Sequence, residues 1–157
     1  TDGTIVNADI NASAAIAGTK LSGAGKVLQV VTATITTDSS TSSGSFVTTG
    51  LSASITPSSA SNKILIISSM TFDNQVANSD NDAISIFRGA TNLGDSTYGF
   101  GIFKSESSIT HCIQSPIILD SPSTTSSTTY AIYAKGAGLR WNPGSSRSTI
   151  TLLEIAA

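Results

Sequence analysis

The sequence predicts an all-β protein, a β-sandwich of jelly-roll or Greek-key type with an extended N-terminal arm. Three observations carry that reading. Ser and Thr make up about a third of the 157 residues, and both favour strands and turns over helix interiors. Apolar and polar residues alternate through runs that end at Gly, Pro, Asn or Ser turns, the period-two signature of half-buried strands. No stretch sustains the 3.6-residue period of an amphipathic helix.

Residues 1–25 stand apart from this pattern. Ile5 (with Val6 beside it), Ile10, Ile16 and Leu21 are spaced by five, six and five residues, which fits neither a helix face nor a strand face. A helical turn from Ser13 to Gly18 would be far shorter than the ~12–15 residues an isolated helix needs. Fully extended, Thr4 to Leu21 would reach about 60 Å, against about 35 Å for the breadth of the domain that follows. The spacing therefore predicts an arm that lies on another surface, either sister chains or a neighbouring protein. Its contacts would be Ile5, Val6, Ile10, Ile16 and Leu21. The small-residue hinge up to Gly25 sets the boundary, with arm and hinge over 1–25 and the sandwich over 26–157.

The strands follow in order. Lys26 to Thr37 alternates Val31, Ala33 and Ile35 against Thr32, Thr34 and Thr36. Asp38 to Ser45 reads as an exposed loop. Phe46 to Ile55 and Asn62 to Asp73 are strands separated by a turn around Pro57. Further strands are expected at Ala83 to Arg88, Tyr98 to Lys104, Ile109 to Leu119, Thr128 to Lys135 and Ser148 to Ala156. Three of these are apolar on both faces. Leu65 and Ile67 oppose Ile64 and Ile66, and the same doubling recurs at Ile117 to Leu119 and Leu152 to Ile155. A two-layer sandwich buries one face of each sheet, so the second face predicts a subunit interface through Leu65, Ile67, Ile118, Leu153 and Ile155.

Composition narrows the function. With net charge −2 and 11% charged residues, the chain lacks the basic face that neutralising phosphates requires, and nucleic acid is not an expected partner. No run approaches the ~18 apolar residues of a membrane-spanning helix, so membrane insertion is not expected either. The single cysteine, Cys112, permits no internal disulfide and no Cys cluster for zinc. No cofactor is expected.

Catalytic constellations are sparse. The only histidine, His111, adjoins Cys112, and neighbours on a strand face opposite ways; His111 reads as a hydrogen-bonded core residue. A nucleophile elbow is absent, and Gly25-Lys26 lacks the remaining residues of a phosphate loop. The oxygen-rich stretch Asp73 to Asp82 lacks the spacing of an EF-hand and reads as an exposed loop. Trp141, the only tryptophan, falls in an expected loop over Gly138 to Gly144. There its ring either stacks on a sugar, with Arg140 and Asn142 as polar partners, or plugs the end of the sandwich. The reading is a protein without enzymatic activity; a carbohydrate-binding jelly roll is a rival.

Several segments carry a resemblance. They are Gly3 to Leu21, Ile55-Thr-Pro-Ser-Ser-Ala-Ser-Asn-Lys-Ile-Leu65, Ile86-Phe-Arg-Gly-Ala-Thr-Asn-Leu-Gly94, Leu119 to Ser126 with Thr129-Tyr130, and Ser148 to Ala157. Together they resemble the C-terminal domains of fibre proteins from tailed bacteriophages, especially those of marine and cyanobacterial hosts. The resemblance implies a structural protein of the virion: a homotrimer, fixed to another virion protein by its N-terminal part, with a distal domain facing the host surface and its glycans. The long shaft usual in such fibres is missing from these residues, which brings in a second virion role, a short head fibre or capsid decoration protein, with a polysaccharide-cleaving tailspike as the rival that would be an enzyme.

Overall fold

The computed structural model describes residues 26–76, 79–105 and 110–157. Among them the alternating runs form twelve strands: β1 (Val27–Ile35), β2 (Ser39–Thr41), β3 (Val47–Ile55), β4 (Lys63–Asn74), β5 (Ser79–Arg88), β6 (Thr91–Asn92), β7 (Ile102–Ser105), β8 (Thr110–Gln114), β9 (Ile117–Asp120), β10 (Thr128–Lys135), β11 (Leu139–Trp141) and β12 (Ser148–Ile155). Several are pieces of longer strands. β1 and β2 lie end to end along β12 and β11, which themselves lie end to end along one edge of β4. β8 and β9 line the other edge of β4, and β6 and β7 share one edge of β5.

Counted this way there are eight antiparallel strands in two sheets. One sheet runs β1/β2, β11/β12, β4, β8/β9, and the other runs β3, β10, β5, β6/β7. The chain crosses between sheets at nearly every connection and stays in one sheet only for the two-residue turn from β5 to β6. This is the jelly-roll arrangement, two interleaved Greek keys. The all-β sandwich is thus the fold of the domain.

The breaks within strands have different causes. Gln114 faces Met70 and Ile117 faces Ile67, so β8 and β9 keep one register along β4. Pro116 lies between them. It removes one N–H from the ladder without shifting it, and its carbonyl still accepts from Ser68 N–H at 3.2 Å. Between the pairs Trp141–Phe72 and Thr149–Ser69, one chain advances eight residues and the other three, so five residues are looped out between β11 and β12. Asn142, Gly144 and Ser145 take positive φ there, around a single 3-10 turn over Pro143–Ser145.

The core lies between the sheets. β4 contributes Ile64, Ile66, Met70 and Phe72, β12 contributes Ile150 and Leu152, and Leu51, Ile55, Ile84, Ile86, Tyr130 and Ile132 face them from the other sheet. Each such side chain stabilises the fold by about 1.5–3 kcal/mol relative to exposure. Polar ties close the layers. Asp120 of β9 accepts hydrogen bonds from Arg88 at 2.9 Å and from the Tyr130 hydroxyl at 2.6 Å, both on the opposite sheet. At the end nearest Lys26, the buried carboxylate of Glu154 accepts from Gln29, Asn62 and Ser58.

Several expectations need correction. Gly138 to Gly144 is not simply a loop, because Leu139 to Trp141 pairs with β4 on one side and β2 on the other. Ile118 faces the core, since on β9 the residues that alternate outward are Ile117 and Leu119. His111 shares a face with Ile113 as expected, but that face is the outside of the sheet, and the His111 side chain is 67% exposed. Asp73 and Asn74 end β4 and are buried, while Ser79 to Asp82 begins β5, so the expected loop over Asp73 to Asp82 is largely two strand ends. Tyr98 belongs to a turn, because the Asp95 carboxylate accepts from the N–H groups of Thr97 and Tyr98 at 2.7 Å each and folds the chain back before β7. The loop expected over Asp38 to Ser45 contains the short strand β2.

Candidate functional site

The outward face of the sheet containing β4 is where alternation leaves apolar side chains without a second layer. One row crosses all four strands: Leu119 pairs with Leu65, Leu65 with Leu153, and Leu153 with Val30. The next row begins Ile117–Ile67 and continues into Thr151 and Thr32, whose hydroxyls lie 3.2 Å apart. On the other side of the leucine row, Ile155 pairs with Val27, and a register shift beside Leu28 leaves both Val27 and Leu28 exposed. Val30 and Ile117 are each 57% exposed and Ile67 is 38% exposed.

The six large apolar side chains of this band present on the order of 500 Å² of apolar surface, toward the top of the range for a monomer's largest patch. Leu65, Leu153 and Ile155 lie half-buried among them. A stable interface takes about 800 Å² from each partner, with an apolar centre and a polar rim. The band has the apolar character of such a centre, and exposed serines and threonines lie beside it.

Four of the five expected interface residues, Leu65, Ile67, Leu153 and Ile155, therefore share this face, and Ile118 does not. The sequence reading missed Val27, Leu28, Val30, Ile117 and Leu119. The last two were legible once one register was assigned to the Ile117 to Leu119 run. Leu28 was not, because the register shift beside it breaks the alternation. Ile5, Val6, Ile10, Ile16 and Leu21 lie outside the described residues.

At the far end of the same face the chemistry turns polar. Arg140 binds Asp38 through two hydrogen bonds, at 2.8 and 2.7 Å, and its other nitrogen lies 3.6 Å from the buried Asp73, which His111 approaches at 3.8 Å. The Arg140 guanidinium beside Asp38 holds that carboxyl below the usual carboxylate range. Oδ1 of Asp73 has no hydrogen-bond partner among the described residues.

The glycan contact expected at Trp141, Arg140 and Asn142 is corrected by these placements. Trp141 is 3% exposed and packs in the core, which leaves no ring face for a sugar. Arg140 is engaged by Asp38. Asn142 is fully buried; its amide donates to Thr37 O at 2.9 Å and its side-chain oxygen accepts from the Ser148 hydroxyl. Cys112 is half-buried, and burial pushes its thiol pKa up, away from a reactive thiolate. Among the described residues no group of three or more His, Cys, Asp or Glu side chains gathers to hold a metal ion.

No family model matches this chain, and a search of curated proteins returns no match.

Proposed function

We propose that this chain is a structural appendage protein of a tailed-phage virion. In this reading three copies assemble, the segment 1–25 attaches them to another virion protein, and the jelly rolls face outward for adhesion to host-surface glycans. The observation that carries the reading is the apolar band across the outer face of the β4 sheet, a surface suited to burial against further copies of the chain. The resemblance of Gly3 to Leu21 and of the domain's turn and strand segments to phage fibre proteins supports the setting.

Light scattering on the full chain tests the assembly. The expected mass is that of three chains, and Ile67→Lys or Leu153→Lys should give monomers that stay folded, because both side chains project outward. A well-folded wild-type monomer at micromolar concentration would overturn the reading. Attachment is tested by deleting residues 1–22: the domain should fold from Val27 onward, yet fail to join particles. Imaging of particles separates a tail fibre from a capsid decoration protein or short head fibre.

A further inference from the structure

The sandwich has a rim where β6/β7 and β8/β9 are the outermost strands of their sheets. There a recess of about 290 Å³ is lined by Ile84, Phe100, Gln114, Ser115, Pro116 and Ile117. That size is at the small end of ligand pockets, which run from roughly 300 to 1,000 Å³, and suits a single ring. Ile84 and Pro116 are buried. Phe100 is held beside them by its N–H, which donates to Ile84 O at 2.9 Å, and its half-buried ring packs on the core.

The polar part of the recess is uncharged. Among the described residues, the Gln114 side chain makes only a 3.8 Å contact from Nε2 to Cys112 Sγ, which leaves its amide oxygen available. Pro116 O accepts from Ser68 of β4. By the alternation of an antiparallel edge, Ser115 and Ile117 then turn their N–H and C=O groups to the opposite, open side. The recess therefore presents a mainly polar, uncharged lining of donors and acceptors, with a smaller apolar part where Ile84, Phe100 and Pro116 reach it. No lining side chain can pair an ionic ligand, whose desolvation would go uncompensated.

A ligand that matches needs several hydroxyls, no charge and only a small apolar C–H face. We propose that the recess is a subsite for one neutral pyranose unit of a glycan, its C–H face on Phe100 and its hydroxyls on Gln114, Ser115 and the rim backbone. This deepens the adhesion reading, but it is tested without virions or cells.

The test is a titration of the isotope-labelled full chain, followed by amide resonances, with methyl α-D-glucopyranoside, methyl β-D-galactopyranoside, methyl α-D-mannopyranoside and N-acetyl-D-glucosamine up to about 50 mM. At least one sugar should give saturable shifts at Ile84, Phe100, Gln114, Ser115 and Ile117. Gln114→Ala should weaken that binding about tenfold, as expected for a lost hydrogen bond to ligand. Gln114 and Ser115 are not core residues, so Gln114→Ala and Ser115→Ala remain informative even where Phe100→Ala fails to fold. No saturable shift with any of the sugars, or unchanged affinity in Gln114→Ala, would overturn the subsite and leave the assembly reading standing. Sugar binding in the recess without glycan-dependent adsorption would keep the subsite and remove the adhesion reading.

Discussion

Replacing Glu154 with Gln should cost the protein about 3 kcal/mol at neutral pH, and that cost should vanish in acid. Glu154 is buried at the end of the sandwich. Burial pushes its carboxyl pKa up, but donors from Asn62 at 2.6 Å, Gln29 at 2.6 Å and the Ser58 hydroxyl and N–H at 2.7 Å each overcome it and pull the value down from 4.5 to about 2. Each pKa unit corresponds to about 1.4 kcal/mol, so the folded state favours the ionised form by about 3 kcal/mol. A lowered pKa stabilises above the unfolded value and loses its contribution as pH falls through the folded one. The stabilisation is therefore complete above about pH 5, roughly half gone near pH 3 and nearly absent at pH 2. Gln keeps the shape but removes the charge and turns an amide N–H₂ toward donors. Urea unfolding of wild type and Glu154→Gln, at one protein concentration and at pH 7, 5, 3 and 2, isolates this group from the other carboxylates. A stability difference that stayed constant across the series, or fell below about 1 kcal/mol at pH 7, would refute the argument.

Trp141→Ala should lower stability by about 3–5 kcal/mol, the range for deleting a buried aromatic; a melting temperature within a degree or two of wild type would show that the ring is not part of the core. Gly99→Ala should cost about 1–3 kcal/mol, because a Cβ there would collide with the Ile84 carbonyl oxygen and φ is +59°, whereas Gly44→Ala meets nothing within 4 Å and should be near neutral. Denaturant midpoints compare the two directly. Tyr130→Phe should lose about 1 kcal/mol by removing the hydroxyl bond to Asp120 while leaving the Arg88 pair, and no shift in midpoint would show that the hydroxyl contributes nothing net.

How much of this was legible depends on the range of the interaction involved. β10 was readable from Tyr130 to Ala134, where Tyr130, Ile132 and Ala134 alternate with the partly exposed Ala131 and Tyr133, although its pairing with β3 shifts register between Ala131 and Tyr133 and Lys135 is buried. The inward face of β4 was equally plain. What failed were features set by partners distant in sequence. Trp141 sits among Gly, Pro and Asn and looks like loop, but Thr41, Asn74 and their neighbours pair with its segment from elsewhere in the chain. His111 obeyed its alternation, yet alternation alone does not say which face is the core. The apolar band was half visible, because doubled apolar runs name a strand with two dry faces but not the rows that form when Leu119, Leu65, Leu153 and Val30 come side by side. The rim recess had no sequence signal. It arises because Phe100, just before β7, and Ser115, between β8 and β9, come to line one recess only when the edges of the two sheets end up opposite each other.

The start of β1 also fixes how a force applied from the N-terminal side would enter the domain. Lys26 O accepts from Ala156 N–H at 2.9 Å, and β1 then runs antiparallel to β12 as far as the Ile35–Ser148 pair. A pull delivered at Lys26 and resisted at the opposite end of the sandwich acts along β1, parallel to the strand. The rungs between β1 and β12 are then loaded together, in shear, instead of being peeled one after another. A tether attached at that corner would make the joint mechanically tough even though each hydrogen bond in it is ordinary.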